Sequence, residues 1–299
     1  MAATTTAEAP RVPARRRLAG TLWRHPRLQL GLLLAGPIGW LVIAYLGSLA
    51  VLFAAAFWHL DTFTGEVVQG FSLDNFQTLV EKDVYRSIVT RTVLIAAAVT
   101  VTDAILAFPI AFFMAKVARP RTRALLVIAV VMPLWSSYLV KVYAWRIILA
   151  EDGILNWALD PFGLSGPGFG NVATWLVFSY LWLPYMVLPV YAALERIPDS
   201  LLDASGDLGG GAGMTFRRVV LPLALPGVVA GSIFTFSLTL GDYITPQIVS
   251  STQFIGNVVY TNVGVANNLP LAAAFATVPV VIMVLYLLAA RRLGAFESL

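Results

Sequence analysis

Four ionisable residues lie inside or beside long apolar stretches of this 299-residue sequence: Asp103, Lys141, Arg146 and Asp242. A charge inside an apolar membrane segment is costly, so such a residue is a candidate for function. The two carboxyl groups could attract a cationic solute, and aromatic rings nearby could hold it through cation–π contacts. The sequence therefore predicts a pathway or gate for a solute, and its candidate residues are Asp103, Trp135, Tyr138, Trp182, Tyr185, Asp242 and Tyr243.

Each of these residues also has a purely structural interpretation. Asp103 could bond to hydroxyl groups of a neighbouring helix or pair with a basic residue of a partner chain. Asp242 could cap a broken helix end, and Lys141 and Arg146 could extend to lipid headgroups. The Trp and Tyr side chains could form the aromatic belts that occur where helices leave a bilayer.

Other kinds of chemistry have little support in the sequence. The chain has no cysteine, which excludes a disulfide framework, a thiolate metal site and a cysteine nucleophile. Its two histidines, His25 and His59, are far apart along the chain. The glycine run at 209–211 lacks the Lys and Ser/Thr of a phosphate-binding loop. We therefore predict no catalytic residue, no metal site and no cofactor in this chain.

The stretch 199–222 is the second candidate site, because it is polar and glycine-rich yet lies between two long apolar segments. Unpaired backbone groups are not tolerated in lipid, so this stretch is expected to be an aqueous connection. Aspartates recur every four residues at its start, which predicts a short helix with an acidic stripe.

The glycine run at 209–211 is expected to end this short helix. A second helical piece, residues 215–219, is expected to lead to Pro222 at the start of the next apolar segment. On these residues alone, two interpretations remain: a rigid surface helix that transmits force from a partner, or an ordinary connecting loop.

The composition indicates the elements that position these residues. Hydrophobic residues make up 59% of the chain and charged residues 12%, whereas about a quarter of residues are charged in soluble domains. About 20 apolar residues cross a bilayer as a helix, and six segments qualify. The sequence thus predicts an all-α polytopic membrane protein with six transmembrane helices at residues 31–55, 88–115, 124–149, 173–194, 223–249 and 271–290.

The basic residues predict the orientation of these helices. Most of the 20 lysines and arginines lie in the N-terminal tail, after predicted spans two and four, and after span six. By the positive-inside rule, both termini and the 199–222 loop are expected to be cytoplasmic. We expect a flexible basic cytoplasmic tail at 1–28 and a transmembrane domain at 29–299. The first apolar run is longer than that of a cleaved signal peptide, which favours a retained anchor.

The order of residues in the 199–222 loop resembles the EAA loop of type I ATP-binding-cassette (ABC) importer permeases. That pattern reads Glu-Ala-Ala, three residues, Gly, nine residues, and Ile-x-Leu-Pro. Here Asp replaces Glu at 203 and Ser replaces the second Ala at 205. The resemblance implies a MetI-like permease fold. It also implies that the loop docks on an ATP-binding subunit, through Asp203, Ala204, Ser205, Gly209, Leu221 and Pro222.

Other segments resemble the spermidine/putrescine (PotB/PotH-like) group of these permeases. They are residues 132–145, 151–156, 183–198, 241–246, 255–257 and 268–274. The resemblance implies polyamine transport. The same group also contains relatives for γ-aminobutyrate, aminoethylphosphonate and opines, which keeps those solutes as alternatives.

The resemblance further implies an assembly in the bacterial inner (plasma) membrane. The chain would pair with a homologous second permease subunit, two ATP-binding subunits and an extracytoplasmic solute-binding protein. ATP and Mg²⁺ would bind to the ATPase subunits, because this sequence has no Walker motif. The expected partners therefore include a small-molecule solute and membrane lipid, but no nucleic acid, and this chain is not expected to be an enzyme.

Three rival classes have less support. A transporter driven by an ion gradient would need internal inverted repeats and paired carboxylates within the membrane, and neither pattern is clear in the sequence. A membrane enzyme would need a nucleophile and a base, or a metal site. A structural scaffold would not explain the residue spacing in the 203–222 segment.

Overall fold

The computed structural model describes residues 26–61 and 63–292. Over these residues the chain is mostly helical, and five helices are long and apolar enough to cross a membrane. A bent pair of helices provides a sixth span if the pair is counted as one. The six spans are Gln29–Ala55, Asp83–Val117, Pro120–Trp135 with Tyr138–Leu149, Asn171–Glu195, Ala212–Gly241 and Leu269–Arg292. The predicted all-α class and the approximate positions of the spans are confirmed.

Shorter elements connect the spans. Two short strands, His59–Leu60 and Val67–Val68, form an antiparallel pair after span one. The side chain of Asn75 binds the backbone carbonyls of Ala56 and Trp58, at 3.0 and 2.7 Å. The short helices are Asp74–Glu81, Ile154–Leu159, Asp160–Phe162 (a 3₁₀ turn), Asp199–Asp207, Ile244–Val249 and Ile255–Gly264.

The chain divides into two compact units between Ala54 and Ala55. The first unit contains span one, in which Leu41–Leu46 is π-helical. Residues 1–25, most of the predicted flexible tail, lie outside the described residues. The second unit contains the other spans and both candidate sites.

Spans two, four and five form the core of the second unit. Small side chains make this possible, because they let helix backbones approach closely in a membrane. A Cβ atom added to Gly227 would lie 2.4 Å from the Cβ of Ala193, and one added to Gly231 would lie 2.6 Å from the sulfur of Met186. The inward face of span two carries Ile88, Thr92, Ala96, Val99, Asp103, Ala107 and Ala111 at helical spacing.

Span three differs from the single helix predicted over 124–149. It bends by 92° between Trp135 and Tyr138. The carbonyl of Pro133 accepts hydrogen bonds from the hydroxyl of Ser136 at 3.0 Å and from Nζ of Lys141 at 3.1 Å. Side chains thus satisfy the backbone where the helix is interrupted, which a hydropathy pattern does not reveal. The segment before the bend is about 24 Å long at 1.5 Å per residue, shorter than a hydrocarbon core of about 30 Å.

Span five also ends earlier than predicted, at Gly241 rather than near 249. The backbone is extended at Asp242, and a separate short helix occupies Ile244–Val249. We call the end of spans two, four and five next to residues 196–222 the loop end. The opposite end, where spans three and five break, is called the far end.

Candidate functional site

The loop helix, Asp199–Asp207, occupies the position that the sequence predicts. It ends in a Schellman turn, in which two hydrogen bonds close the last helical turn. The amide of Gly209 donates to the carbonyl of Gly206 at 2.9 Å, and that of Gly210 donates to the carbonyl of Ser205 at 2.8 Å. Both bonds satisfy carbonyl groups that a helix end would otherwise leave open.

The two glycines in this turn have different physical roles. Gly209 has a φ of +77°, a left-handed conformation that costs an L-residue about 1–2 kcal/mol. Gly210 has an ordinary backbone, but a Cβ there would lie 2.6 Å from the carbonyl oxygen of Ser205. Backbone geometry thus requires glycine at 209, the glycine of the sequence pattern. At 210, the lack of room for a side chain requires it.

The second arm of the loop is one continuous helix with span five. It begins at Ala212, passes through a π-helical turn at Phe216–Val220, and continues to Gly241. The helical piece predicted at 215–219 is therefore present, but it is continuous with span five, so that Leu221 and Pro222 lie inside the helix. A wide π-helical turn before a proline relieves the clash of its ring with the preceding turn.

A hydrogen bond joins the two arms of the loop. The hydroxyl groups of Ser205 and Thr215 are 2.8 Å apart. Ser205 is the position where this chain departs from the alanine of the sequence pattern. The departure therefore adds a cross-link that alanine would not provide.

The outer face of the loop helix is acidic with an apolar tip. Asp203 and Asp207 are exposed, as is Ala204. Leu208, at the end of the helix, is 90% exposed. On the inner side, Leu202 packs against the core cluster at the loop end. The loop helix thus has one face fixed to the spans and one face free to contact a partner.

The far end brings together four of the predicted pathway residues. The hydroxyl of Tyr138 donates a hydrogen bond to Oδ2 of Asp242. Trp182 stacks on Tyr138 with ring centroids 6.1 Å apart, and Tyr185 meets Trp182 edge-on at 5.9 Å. We call Tyr138, Trp182, Tyr185 and Asp242 the far-end cluster.

Asp242 also caps the short helix that follows the break in span five. Its Oδ1 accepts hydrogen bonds from the amides of Ile244 at 2.8 Å and Thr245 at 3.2 Å. The hydroxyl of Thr245 lies 2.6 Å from that of Tyr138. The structural interpretation of Asp242 is therefore confirmed. The same carboxylate joins the break in span five to the bend in span three.

Two predicted pathway residues lie apart from this cluster. Trp135 is 87% exposed at the end of the first half of span three. Tyr243 stacks on Tyr260 at a centroid distance of 4.8 Å and lines a cavity of about 440 Å³ with Gly256 and Pro279. The backbone is extended at Asp242, and successive side chains of an extended chain point to opposite sides. Tyr243 therefore points away from the cluster that contains Asp242.

Asp103 lies fully buried in the middle of span two. Among the described residues, neither of its carboxyl oxygens has a hydrogen-bond partner, and the same holds for the hydroxyl of Ser179 on span four. Neighbouring positions are satisfied: Trp175 donates to the hydroxyl of Thr102 at 3.1 Å, and Thr100 donates to the carbonyl of Ala96 at 2.7 Å. Unsatisfied buried groups are rare in folded proteins, which makes Asp103 and Ser179, together with Nε1 of Trp182, exceptional in this core.

Sequence reasoning missed the roles of Lys116 and Arg123, which the structure places at the loop end. The positive-inside pattern includes both basic residues only as charges, so nothing in it distinguishes them from exposed arginines. Within the described parts of the chain, no three His, Asp or Glu residues form a group that could hold a metal ion.

Comparison with known proteins identifies the family. A family model described as "Binding-protein-dependent transport system inner membrane component" matches residues 88–295, more than half of the chain. The chain belongs to this family. The predicted membership in ABC importer permeases is therefore confirmed, and the EAA-like loop lies within the matched region.

Two curated relatives agree with this assignment. The permease is 47% identical to "Inner membrane ABC transporter permease protein YdcU" of Escherichia coli strain K12, over 98% of each chain. It is 29% identical to "Spermidine/putrescine transport system permease protein PotB" of Haemophilus influenzae, over 72% of this chain and 76% of that protein. The name of the first relative specifies no solute.

A solved structure supports the fold of the permease. A chain from the crystal structure of a bacterial alginate ABC transporter, in complex with an alginate pentasaccharide-bound periplasmic protein, superimposes with a TM-score of 0.71. The sequences are 16% identical over 93% of this chain and 97% of that one. The predicted importer-permease fold is thus confirmed.

Proposed function

We propose that this permease imports a small cationic solute of the polyamine class, driven by ATP hydrolysis on separate subunits. The loop helix and its Schellman turn carry the proposal for the ATP-driven machine. They present a rigid acidic face at the position where the family pattern has its docking loop. The PotB relatives and the far-end cluster support the choice of solute.

The far-end cluster has the chemistry that a polyamine requires. A carboxylate attracts an ammonium group, and aromatic faces stabilise a cation at short range. In this structure, Asp242 accepts hydrogen bonds from the hydroxyl of Tyr138 and from two backbone amides. We infer that the solute replaces the Tyr138 hydroxyl as the partner of Asp242, which would release the bend in span three from the break in span five.

The proposal includes an orientation and an assembly. The loop end would face the cytoplasm and bind one of two ATPase subunits, and the far end would receive solute from an extracytoplasmic binding protein. A second, homologous permease subunit would complete the pore. Closure of the ATPase dimer would displace the loop helix, and the spans would rock about the solute site.

The test is ATP hydrolysis by the reconstituted complex with solute-loaded binding protein. The solute panel would contain spermidine, putrescine, γ-aminobutyrate, aminoethylphosphonate and an opine. Gly209→Pro is expected to abolish solute-stimulated hydrolysis, because proline has a φ near −65° and Gly209 has one of +77°. Gly213→Ala is the matched control, since it lies in a helix with nothing within 4 Å of the added Cβ.

The outcomes separate the machine from its solute. Stimulation by a polyamine that is lost in Gly209→Pro but kept in Gly213→Ala would support both parts of the proposal. Stimulation by another member of the panel alone would retain the importer and reject the polyamine. If the wild-type permease bound no ATPase subunit, the ATP-driven import would be rejected in favour of an ion-gradient transporter.

A further inference from the structure

One ammonium group joins three elements at the loop end. Nζ of Lys116 donates to the carbonyl of Ile197 at 2.5 Å and to Oδ1 of Asp199 at 2.8 Å. Lys116 belongs to the π-helical turn that ends span two, Ile197 follows span four, and Asp199 is the first residue of the loop helix. These partners are more than 80 positions from Lys116 along the chain.

The location of Lys116 distinguishes it from an ordinary surface cation. Its side chain is only 9% exposed, whereas that of Asp199 is 81% exposed. An exposed ion pair contributes little, but a buried ammonium group that loses its acceptors would be left uncompensated. The backbone carbonyl of Ile197 is therefore the firmer of the two partners.

The charge of Asp199 is maintained across the working pH range. The hydrogen bond from Lys116, and then its positive charge, hold the pKa of Asp199 below its ordinary value of 3.8. A carboxyl group with a lowered pKa contributes its interaction above the ordinary value and loses it as the pH falls through the lowered one. Between pH 5 and 8, the contact with Lys116 is therefore expected to be constant.

A second basic residue braces the same turn. Arg123, near the start of span three, donates to the carbonyls of Met114 and Ala115, both at 3.0 Å. It also lies 3.5 Å from the carboxylate of Glu195 at the end of span four. Arg123 thus fixes the last turn of span two, and Lys116 contacts the loop helix from this fixed turn.

The covalent connections of the loop explain why this link matters. Short connections, residues 196–198 and 208–211, join the loop helix to spans four and five, so its displacement reaches those spans through the backbone. Span two has no such connection. It packs against span four through residues such as Ala111 and Val187, but packing attraction weakens by a quarter to a half over a gap of about 0.5–1 Å.

We propose that Lys116 is a positioning residue that transmits displacement of the loop helix to span two. The proposal rests on the proposed ATP-driven import. Among the described residues, the hydrogen bonds of Lys116 are the only ones that join Asp199 or Ile197 to span two. Span two carries Asp103, so the link would connect the docking surface to the buried carboxyl group in the membrane.

The first test measures solute transported per ATP hydrolysed in proteoliposomes. Lys116→Met is expected to lower this ratio about fivefold or more, in the range of measured coupling effects, while the complex still assembles and hydrolyses ATP. Lys116→Arg keeps the charge and is expected to restore most of the ratio. Arg121→Met is the matched control, because Arg121 is an exposed basic residue at the start of span three, close to Lys116 along the chain. An unchanged ratio in Lys116→Met would overturn the proposal.

A second variant covers the case in which Lys116→Met fails to assemble. The native chain has no cysteine, so Lys116→Cys with Asp199→Cys can be joined by a short bis-thiosulfonate reagent when partner subunits lack reactive thiols. The unlinked pair is expected to transport poorly for each ATP, and the cross-link is expected to restore the ratio. A cross-link that forms without restoring it would reject the link. Absence of ATPase binding in the wild type would instead reject the proposed function.

Discussion

Asp103 and Asp242 are both carboxyl groups in or beside spans, yet their surroundings are opposite. Asp242 accepts hydrogen bonds from a tyrosine hydroxyl and two backbone amides. Asp103 is fully buried and, among the described residues, has no partner for either oxygen. Asp242 has a structural role that explains its presence, whereas Asp103 does not. Asp103 is therefore the better test of whether a buried carboxyl group serves transport.

For Asp103→Asn we expect loss of transport without loss of stability. No hydrogen bond is removed, so the free energy of unfolding is expected to change by less than about 1 kcal/mol. Solute uptake is expected to fall about tenfold, which corresponds to an interaction of about 1.4 kcal/mol. Thermal unfolding in detergent and uptake into proteoliposomes would measure the two effects.

Ser179→Ala serves as the companion variant, because the Ser179 side chain faces Asp103 and is likewise without a close hydrogen-bond partner among the described residues, but carries no charge. It is expected to reduce uptake less than Asp103→Asn does. If Asp103→Asn unfolds the permease at a markedly lower temperature and transports at the normal rate per folded molecule, Asp103 is a packing residue and not a pathway residue.

At the scale of elements, the loop helix combines rigidity with exposure. Its end is closed by the Schellman turn, and its second arm is fixed by the hydrogen bond between Ser205 and Thr215. A rigid element loses little conformational freedom on binding, which favours affinity. The exposed tip at Leu208 is the residue best placed to enter a partner's surface.

Leu208→Asp is expected to weaken binding of the ATPase subunit about tenfold or more, as for an apolar anchor at an interface. The stability of the permease is expected to change by less than about 0.5 kcal/mol, because Leu208 is exposed. Co-purification of the ATPase subunit at several concentrations would measure the effect. Phe63→Asp is the control, since Phe63 is 99% exposed in a different connection; equal losses in both variants would contradict a specific role for Leu208.

The six spans and the loop helix could be predicted from the sequence because hydropathy and the glycine pattern act locally. The interruptions of spans three and five were harder to predict from the sequence. The bend of span three depends on Ser136 and Lys141 contacting the carbonyl of Pro133, and hydropathy counts only the apolar length. The break of span five involves Asp242, whose possible capping role follows from its residue type, but its contact with Tyr138 connects residues 104 positions apart.

At the scale of the whole molecule, the proposed orientation is testable because the chain has no cysteine. Leu208→Cys is expected to react with a membrane-impermeant thiol reagent only from the cytoplasmic side. Leu164→Cys, 61% exposed in the connection after span three, is expected to react only from outside. Intact cells and inverted vesicles would provide the two sides, and labelling in the reverse order would overturn the orientation.

The π-helical turns at Phe113–Val117 and Phe216–Val220 have a consequence for helical phase. A π-helical turn contains one more residue than an α-helical turn, and each residue rotates a helix by about 100°. Spans two and five therefore each reach the loop helix with an angular offset. The number of residues in the turn sets that offset, and the type of side chain does not. Losing one residue from the first turn would rotate Lys116 away from its partners, and losing one from the second would rotate span five relative to Thr215, so the length of these segments constrains the permease as well as their side chains.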